Sequence, residues 1–187
     1  MKRLITYSCM AIFATGSMAQ NQKDEAQMNR FISGLMKKMT LEEKVGQLSQ
    51  CSGGFATGPD NTRISRTEDI SKGLIGSLLN VSSAANTRKY QEAAMKSRLQ
   101  IPLLFGLDVI HGYRTGFPLP LAEAASFDLD AIERGSRCAA KEAAAAGLHW
   151  TFAPMVDISW DARWGRVMEG AGEDPYYGSL VAKARVH

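Results

Sequence analysis

The sequence predicts an α/β fold in which a parallel sheet is covered by helices. Three observations carry this. Apolar runs suited to buried strands recur at Leu74–Val81, Ile101–Leu107 and His149–Val156. Helical patterns separate and follow them, and two further helices precede the first. Near-continuous apolar strands alternating with amphipathic helices mark a parallel sheet buried on both faces.

The elements follow in order. Lys2 and Arg3 form a basic start, Leu4 to Thr15 is mostly apolar, and Ser17-Met18-Ala19 offers small residues for a peptidase. This is the pattern of a secretory signal peptide over residues 1–19, and the apolar run is too short for a stable membrane insertion. Met28, Phe31, Ile32, Leu35 and Met36 recur at helical spacing, so 25–39 reads as an amphipathic helix. Thr40-Leu41-Glu42-Glu43 is a capping box that opens a second, short helix through Val45 and Leu48. Glycine, proline and asparagine between Ser52 and Thr62 predict a loop.

After the first apolar run, 84–98 reads as a helix with Tyr90, Ala93, Ala94 and Met95 on its inner side. Asp128 is placed to cap an alanine-rich helix that stops at Gly147, and Asp174-Pro175 opens a last helix. Doubly wound sheets and (β/α)8 barrels both begin this way, and periodicity does not separate them. In either, chemistry belongs at the C-terminal ends of the strands.

Composition narrows the function. The chain has 187 residues, 45% of them hydrophobic and 22% charged, which fits a globular domain rather than a disordered one. A net charge of +3 without a basic patch argues against nucleic acid. Cys51 and Cys138, beyond the expected leader, read as two free thiols rather than a disulfide framework. No Cys/His spacing suggests a metal site, and no cofactor is expected.

Two strand ends are rich in polar groups. Asp108 directly follows the run 101–107, with His111 three residues on. A carboxylate there can accept two sugar hydroxyls. It can equally cap a turn, and His111 reads more readily as a structural histidine. The second cluster runs from Asp157 to Pro175 and gathers Asp161, Arg163, Trp164, Arg166, Glu169 and Glu173. Trp offers a flat apolar face to a pyranose, and Arg a planar fork to hydroxyls or carboxylates. An arginine–carboxylate network that orders the loop accounts for the same residues; one arginine can hold the loop while the other faces a ligand.

Met39-Thr40-Leu41-Glu42-Glu43-Lys44-Val45-Gly46-Gln47-Leu48, Asp108-Val109-Ile110-His111-Gly112, Arg163-Trp164-Gly165-Arg166 and Gly172-Glu173-Asp174-Pro175 together resemble glycoside hydrolase family 3. The likeness runs over about 27–186 and is nearest to the periplasmic β-glucosidases of Gram-negative bacteria. It implies a partial (β/α)8 TIM-type barrel over 20–187, its first three or so βα units preceded by N-terminal helices. It implies retaining cleavage of terminal β-D-glucosyl residues from β-linked glucosides or oligosaccharides, in the periplasm. Asp108 and Arg166 match family positions that bind the sugar, with His111, Arg163, Trp164 and Glu173 as supporting pocket residues.

The family's nucleophile and acid/base match no residue here, so the resemblance implies an incomplete barrel domain that is inactive alone. A non-catalytic carbohydrate-binding remnant is the alternative, as is action on β-xylosides or β-N-acetylglucosaminides.

Overall fold

The computed structural model describes residues 24–53 and 67–187. The expected signal peptide at 1–19 and positions 54–62 of the expected loop lie outside the described residues. The chain divides into two units, 1–44 and 45–187.

In the first unit, helix α1 covers residues 24–38. Its predicted apolar side does not become core: Met28, Phe31, Ile32 and Met36 are all exposed. The capping box is formed. The Glu43 amide donates to Thr40 Oγ1 at 3.2 Å, and the Thr40 amide to Glu43 Oε2 at 2.9 Å. It opens α2, Leu41–Leu48, which carries the chain into the second unit.

The second unit is built on a four-stranded parallel sheet in the order β1 (Gln50–Ser52), β2 (Ser77–Leu79), β3 (Leu104–Leu107) and β4 (Trp150–Thr151). Gln50 pairs with Ser77, Ser77 with Leu104, and Gly106 with Trp150. Sequential strands lie side by side, each joined by a helical crossover: α3 (Thr67–Ser71), α4 (Ala84–Ala94), then α5 (Pro120–Ala125) with α6 (Leu129–Ala145). Helix α7 is Pro175–Val186. This progressive parallel winding is how a barrel sheet grows.

The core lies where α4 and α6 cover the sheet. Phe105, Leu78, Leu103, Val81 and Ile70 are almost completely buried, with Ala93, Ala94, Ala139 and Ala143 from the helices. Small alanines let α6 approach closely. A second cluster of Ala124, Ile132 and Val181 joins α5, α6 and α7.

The helix ends follow their local chemistry. Asp128 accepts from the Ala131 amide at 2.8 Å and Asp174 from the Tyr177 amide at 2.7 Å, each satisfying an orphan donor of a first turn. Helix α6 ends in a Schellman turn: Gly147, at φ +85°, donates to Ala144, and Leu148 donates to Ala143. A Cβ on Gly147 would fall 2.6 Å from Thr87 Oγ1. That same hydroxyl bonds the Ala146 carbonyl at 2.9 Å and so ties α4 to the end of α6.

The structure corrects several boundaries. Three strands are expected and four are found among the described residues, because Gln50-Cys51-Ser52 has no apolar run to announce it. The run 74–81 narrows to Ser77–Leu79, and 101–107 to Leu104–Leu107. The expected buried strand 149–156 is two residues long, with Trp150 44% and Val156 65% exposed. Among the described residues strand β4 pairs with β3 alone, and Thr151 Oγ1 accepts from the Ala153 and Val109 amides. Helix α4 stops at Ala94, where the Lys96 and Ser97 amides bond three residues back, and Met95 is exposed rather than inward. Helices α3 and α5 are too short to show a period. Cys51 and Cys138 are free thiols, each half-buried.

Candidate functional site

In a parallel sheet every strand points the same way, so the residues that follow β3 and β4 gather at one end. Asp108 follows β3 directly and is exposed there. The loop after it, 108–119, is fastened from several sides. The Val109 amide donates to Thr151 Oγ1 at 3.4 Å, on β4. Tyr113 Oη accepts from the Ser83 amide at 3.0 Å, at the start of α4. Glu142 of α6 accepts from the Arg114 and Thr115 amides at 2.8 and 2.9 Å and from Thr115 Oγ1 at 2.7 Å. These bonds hold the Glu142 carboxyl below the usual carboxylate range. Arg185 of α7 donates to the Ile110 carbonyl.

The loop also closes on itself. The Phe117 amide bonds the His111 carbonyl at 2.8 Å, and His111 Nδ1 lies 3.2 Å from the Phe117 carbonyl. Gly112 and Gly116 form an antiparallel bridge. Gly112 sits at φ +114°, and a Cβ there would fall 1.9 Å from the Thr115 carbonyl oxygen. Only glycine makes this turn.

The second loop follows β4 and carries a 3₁₀ turn at Val167–Glu169. Its ends are joined by the Ser159 amide on the Gly172 carbonyl, 3.1 Å, and by Trp160 Nε1 on the Glu173 carbonyl, 3.2 Å. Both arginines hold carboxylates. Arg163 forks onto Asp161 at 2.6 to 3.1 Å, with the Arg163 side chain 90% exposed. Arg166 forks onto Glu169, also at 2.6 to 3.1 Å. The Arg163–Asp161 pair orders the loop surface and adds little else.

Arg166 differs. The Glu169 bond pushes its guanidinium up, and the Asp108 and Asp157 carboxylates add to the same field. Asp108 from one loop and Asp157 and Arg166 from the other therefore share one electrostatic neighbourhood. Neither carboxylate accepts a side-chain or backbone hydrogen bond among the described residues.

Of the six residues the sequence singled out, Asp108 lies within the electrostatic reach of Arg166. His111 turns back into its own loop, Arg163 to Asp161, and Trp164 is partly exposed on the second loop. Glu173 offers its backbone carbonyl to Trp160. Sequence reasoning missed Glu142, Glu123 and Arg185, which hold the first loop from helices α6, α5 and α7, and Tyr113, which fastens the loop to Ser83; none has a local motif. It also left Asp157 without a role. A cavity of about 240 Å³ lies behind the first loop, lined by His111, Phe117, Glu123, Ala139, Thr151 and Arg185; Asp108 and Arg166 are not in its walls.

A parallel sheet whose strand order follows the chain, with polar loops at its C-terminal strand ends, is consistent with part of a (β/α)8 barrel. The chain belongs to glycosyl hydrolase family 3: residues 40–187 match the family's N-terminal domain. It is 46% identical over 157 residues to a periplasmic beta-glucosidase of Salmonella typhimurium, covering 83% of this chain and 20% of that protein. It is 30% identical over 183 residues to a lysosomal beta glucosidase of Dictyostelium discoideum, covering 83% of this chain and 22% of that one. Among solved structures, a beta-glucosidase from Listeria innocua in complex with isofagomine superimposes with a TM-score of 0.77 at 44% identity, over 84% of this chain and 22% of its own. The chain thus spans about a fifth of the length of the curated relatives it matches.

Proposed function

We propose that this chain supplies part of the sugar pocket of a β-glucosidase-type hydrolase, and that it binds a terminal β-linked glucosyl residue through Asp108 and Arg166. One observation carries the reading: Asp108 is exposed directly after β3 on a loop fastened from several sides, accepts no hydrogen bond among the described residues, and lies within the electrostatic reach of Arg166. Hydroxyl pairs of a pyranose suit a carboxylate acceptor facing a guanidinium donor, and charge-assisted bonds are the strong ones. Glu169 fixes the plane of the guanidinium. Asp157 is the further acceptor on the same side. The Listeria enzyme's complexes with glucose and with isofagomine support a glucoside over other ligands.

Retaining hydrolysis needs two carboxyls about 5–5.5 Å apart, one to attack and one to protonate the leaving oxygen. In this reading the carboxylates of this chain do neither. Asp161, Glu169, Glu142 and Asp174 are each committed to an arginine or to backbone amides. Asp108 binds. The lead at 1–19 directs the chain to the periplasm, a reading supported by the periplasmic Salmonella relative; no helix among the described residues is long and apolar enough to cross a membrane.

The test is a D-glucose titration of the purified chain followed by NMR, with Asp108→Asn beside it. The variant is expected to bind about tenfold more weakly, the worth of a charge-assisted bond. Unchanged affinity refutes the reading. Hydrolysis of an aryl β-glucoside by the same preparation would refute the assignment of its carboxylates to binding alone.

A further inference from the structure

The Asp108 loop is held from behind by a buried ion pair. Arg185 lies on the last turn of α7 with its side chain 8% exposed, and Glu123 on α5 with its side chain 10% exposed. Nη2 of Arg185 is 3.6 Å from Glu123 Oε2, which has no hydrogen-bond partner. The same Nη2 donates to the Ile110 carbonyl, two residues beyond Asp108. Burial pushes the Glu123 carboxyl up and the Arg185 guanidinium down, against their mutual attraction. Both charges are thus held at a cost.

Two well-packed apolar side chains often serve stability as well as a buried ion pair does. They cannot supply a donor to the Ile110 carbonyl. A charged donor to a partly buried carbonyl fixes that peptide plane, and through it the direction of the residues on either side. The other fastenings of this loop act on Val109 and on positions 113–115. Arg185 grips the peptide between Ile110 and His111.

We propose that Arg185 is a positioning residue for the sugar-binding loop: its bond to Ile110 holds the Asp108 carboxylate opposite Arg166, and Glu123 keeps the guanidinium in place. This rests on the reading of Asp108 as a sugar-binding residue.

The test compares Arg185→Met, of similar length but no donor, with Arg185→Lys, which keeps one. Two quantities are read: amide hydrogen exchange at Val109–Gly112, and affinity for D-glucose. Arg185→Met is expected to speed exchange and weaken glucose about tenfold each, while Arg185→Lys stays within about threefold of the parent. Arg185→Met leaves Glu123 buried and unpaired, so the double variant Glu123→Leu/Arg185→Met accompanies it, with both charges removed. The same local loss in the double variant is the expected result.

Parental exchange and affinity in the folded variants would overturn the proposal. So would exchange that accelerates equally through β2, β3 and the loop, which marks general destabilisation. If Asp108→Asn binds glucose as the parent does, the sugar reading fails, and the exchange rates still decide whether Arg185 braces the loop.

Discussion

Replacing Gly112 by alanine strikes the turn that closes the Asp108 loop. The backbone there is at φ +114°, where side-chain-bearing residues cost about 1–3 kcal/mol. The added Cβ would meet the Thr115 carbonyl oxygen at 1.9 Å and the Phe117 ring at 3.2 Å. The first contact is with backbone, so no rotamer change relieves it. The turn must open, and with it go the Gly112–Gly116 bridge and the 2.8 Å bond from the Phe117 amide to the His111 carbonyl. For a chain of this size each kcal/mol moves the midpoint by roughly 2–4 °C, so the expected loss is about 2–12 °C. Thermal unfolding followed by circular dichroism measures it, and the glucose titration should show weaker binding by the same variant. Gly116→Ala is the internal control. It sits across the same bridge, yet nothing lies within 4 Å of its Cβ, so its effect should stay within about 0.5 kcal/mol. Equal midpoints for the two variants would refute the steric argument.

Two further outcomes follow from other contacts. Thr87→Val keeps the shape of a buried side chain but removes its bond to the Ala146 carbonyl; a loss of about 1–3 kcal/mol is expected in urea titrations, and no loss would show that the carbonyl finds another donor. Glu142 and Glu123 should give opposite pH signatures. Glu142 is held low in the folded chain by the amides of the 114–115 turn, so its contribution is present above its unfolded value, about 4.3, and disappears as pH falls through the folded value. Glu123 is pushed up by burial, so its contribution is present below that unfolded value and fades as pH rises through the folded one. Urea midpoints measured across pH for Glu142→Gln and Glu123→Gln should lose one slope each, of opposite sign; slopes of the same sign would contradict the two environments.

The parts of this fold that were legible are those written in local chemistry. Asp128, Gly147 and Asp174-Pro175 mark helix ends that the structure places within a residue, because a cap needs only the next few amides. Thr40 and Glu43 were readable for the same reason. Strand limits were not: β1 is polar, and its pairing with β2 is decided by the sheet rather than by its own residues. At the candidate site, Asp108 and Arg166 stood out because each follows a strand in a recognisable motif. Glu142, Glu123 and Arg185 lie 34, 15 and 77 positions from Asp108 in the sequence. Their roles exist only once the helices are laid over the sheet, and no spacing rule reaches that far.

The fastening of the Asp108 loop has a consequence for how such a pocket changes over time. Its anchors sit on the cap of α4, on α6 and on α7, while the groups proposed to meet a sugar, Asp108 and Arg166, are exposed. Under the proposed reading, selection or design can adjust through these anchors how firmly the pocket grips, in small steps. Ser83, Glu142 and Arg185 act as tuning screws, and Asp108 and Arg166 stay as they are.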